Sequence, residues 1–128
     1  MINRRFLIAG LLSFSLTGSA ASQSVKLPAD EIMSLLSGKT ASGKWEGKLY
    51  RQYFNTDGTT IFAQDGSRSA QGNWRINKKT DEYESIWPGE KNWTGWFVME
   101  YAGAYYWVSK TTPPTPFRLL QGQQLVRD

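Results

Sequence analysis

The pattern of apolar and polar positions along this chain changes character twice. Residues 6–16 form an almost unbroken apolar run, preceded by Arg4 and Arg5 and followed by Thr17-Gly18-Ser19-Ala20-Ala21. A short basic start, an apolar stretch and a small-residue end are the order of a secretory signal peptide. The run is about half the roughly 20 residues that a membrane-crossing helix needs. The expected cut follows Ala21, so the chain divides into a signal peptide (1–21) and a single domain (22–128) with no transmembrane segment after cleavage. Asn3-Arg4-Arg5-Phe6-Leu7-Ile8 also fits a loose twin-arginine pattern, but paired arginines are common in ordinary signals and the general secretory route is the expected one. The destination is the periplasm or the exterior.

From residue 28 the period becomes helical. Ile32, Leu35 and Leu36 fall on one face at i, i+3, i+4 spacing. Pro28 suits a helix start, Asp30 and Glu31 suit its positive end, and Gly38 suits the left-handed residue past its last turn. These signals predict one helix over about 28–37, too short to stand alone, with Ile32, Met33, Leu35 and Leu36 as its docking face.

Beyond Gly43 the period drops to two. The pattern predicts a long strand over 44–54, a hairpin turn at Asn55-Thr56-Asp57-Gly58, a return strand over 59–64 and a turn at Asp65-Gly66-Ser67. Ala70, Gly72, Trp74 and Ile76 then alternate cleanly with Gln71, Asn73, Arg75 and Asn77. Further strands are expected over 82–87, 93–101 and 104–110, the last two joined tightly at Ala102-Gly103. A Pro-rich break covers 111–116, a last short edge strand 117–120, and the tail from 121 is expected to fray. The fold class is therefore mainly β: an antiparallel meander forming a curled sheet or small barrel, with one short N-terminal helix and strands over about 44–110. Gly43-Lys44-Trp45 and Gly72-Asn73-Trp74 share a spacing, but two copies do not make a repeat.

Composition narrows the chemistry. The chain has no Cys and no His. That removes Cys–His and Ser–His nucleophile pairs, ordinary zinc sites and His- or Cys-held haem. No metal site and no cofactor are expected, and catalysis would have to run on carboxylate, Lys or Tyr groups. The net charge of +4 includes Arg4 and Arg5; what remains is too balanced and too scattered for a nucleic-acid footprint. All six Trp and all six Tyr lie after the expected cut, so packing of rings must replace crosslinks.

The strands over 93–109 depart from the one-face rule. Trp93, Phe97, Met99 and Tyr101 share one face and Trp96 and Val98 the other; Tyr105 and Trp107 oppose Tyr106 and Val108. Either one face meets the interior and the other meets the helix, or Trp96, Tyr105 and Trp107 line a cup for a ligand or partner. Arg51 shares parity with Trp45, Leu49 and Tyr53. It is either a cup-facing charge that needs an acceptor or an edge residue whose guanidinium reaches water. Trp96, Tyr105, Trp107 and Arg51 are thus the candidate binding residues. Glu82 and Glu84 stand two residues apart on a strand, a spacing that resembles the paired carboxylates of glycosidases.

The order of elements resembles a domain of unknown function found in small exported proteobacterial proteins. The similarity rests on Leu35-Leu36-Ser37-Gly38-Lys39-Thr40, on Tyr53-Phe54-Asn55-Thr56-Asp57-Gly58-Thr59 and on Gly72-Asn73-Trp74-Arg75-Ile76, and spans most of 27–110. Members tend to carry Cys in the strands around Ser85 and Gly95. This chain has none, so no disulfide carries over, and the resemblance implies export and a β-rich fold but no activity. The reading is an exported, non-catalytic binding or interaction module whose partner is an apolar small molecule or an envelope protein. Two others stay open: a carboxylate-dependent enzyme acting on envelope glycans or lipids, and a structural envelope component.

Overall fold

A computed structural model describes residues 23–126; the expected signal peptide lies outside them. The order is β1 (Val25–Lys26), α1 (Ala29–Leu36), β2 (Lys39–Trp45), β3 (Lys48–Phe54), β4 (Thr59–Gln64), β5 (Ala70–Asn77), β6 (Glu82–Ile86), β7 (Thr94–Tyr101), β8 (Ala104–Val108) and β9 (Thr115–Gln121). From β2 onward each strand pairs antiparallel with the next, and β9 returns to pair with β2. The sheet is a closed eight-stranded up-and-down barrel, not an open curl. The two residues of β1 pair with the end of β7.

Closure rests on β9. It is the closing strand and not an edge: Thr40 faces Leu120 across one ladder, and Tyr105 faces Phe117 across the other. Pro116 is tolerated because it stands near the strand start, before pairing with β2 begins at Phe117. Nor does the tail hang free. The Thr40 hydroxyl donates to the Gly122 carbonyl at 2.6 Å and accepts from the Gln124 amide at 3.0 Å.

The expected long strand over 44–54 is two strands. Glu46 and Gly47 both take left-handed backbone angles, φ 52° and 80°, and Trp45 pairs with Lys48 across them. This is the two-residue hairpin geometry that favours Asn-Gly or Asp-Gly; Glu-Gly does not announce it. The missed turn matters for sidedness. Trp45 and Lys48 face each other, so the odd-numbered inner face of β2 continues as the even-numbered inner face of β3. Tyr50, Gln52 and Phe54 point inward and are buried, while Arg51 points out.

Alternation then fills the interior. Phe54 is fully buried and meets Trp74, Tyr83 and Trp107 at ring-centroid distances of 5.4, 5.5 and 6.2 Å. Trp107 stacks on Phe117 at 4.1 Å. The shared Gly-x-Trp spacing has a packing cause. Both glycines face inward where a neighbouring ring needs the room: a Cβ on Gly72 would stand 2.7 Å from the Trp87 ring, and one on Gly43 would stand 3.2 Å from the Tyr50 ring.

One end of the barrel is plugged by α1, which touches β2, β5 and β6. Ala29, Ile32 and Leu36 are buried, and Leu35 packs against the core. Met33, expected to dock, is 41% exposed, since it lies off the face that Ile32 and Leu36 define. The helix start is capped from afar: the Ala29 amide donates to Asp81 Oδ1 at 2.8 Å. Because α1 closes an end, it does not cover the outer face of β7 and β8. That face carries Phe97 under the Lys26 ammonium, and Trp93 under Arg75.

Candidate functional site

The end opposite α1 is open. There the interior is a cavity of about 340 Å³, lined by residues that include Trp45, Phe62, Trp87, Trp96 and Trp107. Strand alternation puts them there. Trp45 ends β2, Phe62 is on β4, Trp96 on β7 and Trp107 on β8, each at an inward position. Trp87 enters just after β6, over the gap left by Gly72. Trp45 meets Trp96 edge-to-face at 5.6 Å. Across the cup Phe62 meets Trp87 at 6.1 Å and stacks on Tyr50 at 5.3 Å. Such offset and edge contacts are the favoured geometries for rings, so the walls brace themselves.

The floor is polar and ordered. The Thr60 hydroxyl donates its one hydrogen to the Tyr53 carbonyl at 2.8 Å. It can therefore only accept from Gln52, which fixes the Gln52 amide nitrogen toward it at 3.0 Å. The same nitrogen donates to Tyr83 Oη at 2.8 Å. Gln52 is 7% exposed, and its carbonyl oxygen has no protein partner among the described residues; it is left for the cavity that Gln52 lines. Tyr50 Oη accepts from the Trp107 indole N–H at 3.0 Å, so its own hydrogen remains available. Burial pushes Tyr50 up to about 12, against a smaller downward pull from Trp107. Burial likewise pushes Tyr83 up to about 12, against the hydrogen bonds of Ser85 and Gln52. Both phenols are neutral at ordinary pH.

The charged residues in the cavity lining are of one sign. They are Glu46 and Glu90, with no Lys or Arg among them. Glu90 is anchored by accepting the Trp87 amide N–H at 3.1 Å.

Of the residues expected from sequence, Trp96 and Trp107 come together in this cavity. Trp107 is floor more than wall, 7% exposed, with its N–H engaged by Tyr50. Tyr105 does not join them. It points inward on the same strand as Trp107 but lies toward the plugged end, stacked on Phe117 at 5.9 Å and beside Leu27 and Leu35. Arg51 does not join them either. It lies on the outer face and donates from Nη1 to the Gln124 carbonyl at 2.8 Å, pinning the tail. Glu82 and Glu84 point outward from β6. Glu84 accepts from Arg75 Nε at 2.7 Å and from Asn77 at 3.1 Å, and the Glu82 carboxylate lies over Gly95. Among the described residues no group of three His, Cys, Asp or Glu side chains could hold a metal ion. None of their helices is long and apolar enough to cross a membrane.

Sequence reasoning missed Trp45, Phe62, Trp87 and Gln52. The first and last were hidden by the Glu46-Gly47 turn, which reverses parity. Trp87 was legible only through Gly72, whose lack of a side chain makes sense once a ring is placed over it. Searches of the chain against family models, curated proteins and solved structures found no match, so the geometry of this cup is what a functional reading has to stand on.

Proposed function

We propose that this protein is an exported, non-catalytic binding module that takes one small, largely apolar molecule into the open end of its barrel. An eight-stranded barrel has an interior just wide enough to be filled by side chains or to hold one small ligand. Here the two solutions share one barrel: Phe54, Trp74, Val98 and Leu36 fill the plugged half, and the cavity occupies the other. The observation that carries the reading is the contrast between braced aromatic walls and a polar floor with an unused acceptor on Gln52. Apolar walls with few placed polar groups are the usual make-up of ligand pockets. The export part of the reading rests on residues 1–21 and on the resemblance to small exported proteins.

The test is tryptophan fluorescence of the purified protein, titrated with envelope lipids and glycan fragments. Trp45, Trp87, Trp96 and Trp107 line the cavity, so occupancy is expected to shift or quench the emission. Trp96→Ala is expected to weaken that response. No change with any ligand would leave a protein partner or a structural role in the envelope.

A further inference from the structure

We infer that the cup selects a cation: a small amine or quaternary ammonium with an apolar body, its charged head held at the mouth and its body between the indoles. The inference rests on the binding reading above and names the class of ligand. Three observations carry it. Glu46 and Glu90 are the only charged residues of the lining, which holds no Lys or Arg. Trp45, Trp96, Trp87 and Phe62 stand around the same opening, and the negative faces of such rings attract ammonium groups. The floor offers Gln52, a residue 7% exposed whose amide nitrogen is committed to Thr60 and Tyr83, so that its carbonyl oxygen is left as an acceptor for a donor on the far end of the ligand.

The same arrangement disfavours an anion. A carboxylate drawn into the cup would lose water and meet no cation, and burying an unpaired charge is strongly unfavourable. Basic residues do occur at this end: Lys44, Lys48, Arg68, Lys91 and Lys110 belong to β2, β3 and the loops there. Like Glu46 and Glu90 they are exposed, but they stand outside the lining, and solvent and salt screen charges more than roughly 8–10 Å apart.

The experiment uses three probes with one phenylbutyl body: a trimethylammonium, a primary alcohol and a carboxylate. Each is titrated into the purified protein at low and high salt, followed by tryptophan fluorescence and calorimetry. The expected order is cation, then alcohol, then carboxylate, with about a ten-fold gap or more between first and last. The doubly substituted Glu46→Gln, Glu90→Gln protein is expected to bind the cation no better than the alcohol. Glutamine at position 90 keeps an acceptor for the Trp87 amide, so the mouth holds its shape. Equal binding of cation and alcohol, or preference for the carboxylate, overturns the charge selection while leaving the cup. Failure of all three probes also overturns it, and the lipid and glycan titration then decides the binding reading separately.

Discussion

At the scale of single residues, the least replaceable positions are those with no side chain. A Cβ on Gly72 would fall 2.5 Å from the Ile86 carbonyl oxygen as well as into the Trp87 ring. The oxygen belongs to backbone and cannot step aside. Gly72→Ala is therefore expected to destabilise the protein by about 2–3 kcal/mol, seen as a lower urea midpoint, and to disturb the Trp87 wall. Gly95→Ala is the matched control. Its nearest neighbours, at 3.0–3.3 Å, are the carboxylate atoms of Glu82, the mobile end of a long side chain, so its midpoint is expected to move by less than about 1 kcal/mol. Residue-level reading of the sequence reached Trp96 and Trp107 because strict alternation holds along β7 and β8. It could not reach Gln52. A glutamine that shares parity with Glu46 and Lys48 looks solvated unless the strand's true parity is known.

Between elements, the turns decide the outcome. Ala102-Gly103 and Glu46-Gly47 share the same pair of left-handed angles, with Ala102 at φ 51° and Gly103 at 83°. Only the first was legible, because strong apolar strands flank it on both sides. Alanine is strained in that region and asparagine tolerates it. Ala102→Asn is expected to raise stability by about 0.5–1 kcal/mol, measured as a higher thermal midpoint. The tail makes a second test. Ending the chain after Gln121 removes the bonds from Thr40 and Arg51 to Gly122 and Gln124 but leaves β9 whole. The expected loss is about 1–2 kcal/mol, with the β spectrum in circular dichroism retained. A collapse to coil would mean that the tail is part of barrel closure. Its polar composition gave no warning of this anchoring, which depends on a hydroxyl and a guanidinium on distant strands.

For the molecule as a whole, the absence of crosslinks places stability in buried rings, two of which ionise. Tyr50 and Tyr83 sit at about 12 in the folded protein against an ordinary 10.0. Their folded values are raised, so their contribution is complete below pH 10 and is lost as pH climbs toward 12. Each shift corresponds to on the order of 2–3 kcal/mol. Unfolding in alkali is expected to be steep over that range, with tyrosinate absorbance rising together with loss of ellipticity. Ionisation of Tyr50 and Tyr83 ahead of the loss of ellipticity would contradict the buried floor. At this scale the sequence carried the class and the meander but left barrel and curl undecided. Closure depends on 115–121, a stretch that Pro116 and the two prolines before it made look like a break and a fringe.

That last strand also sets a timetable. Thr40 and Gly122 are 82 residues apart and joined by a hydrogen bond, and the ladder beside them is the one that shuts the ring. A polypeptide made or delivered from its amino end must therefore keep one flank of β2 unsatisfied until residues 115–121 have arrived. Pairings so distant along the chain are slow to form, and an exposed flank invites neighbours to add themselves. Closure of the barrel thus comes as a late step, most vulnerable to misassociation just before the seven residues of β9 slot home.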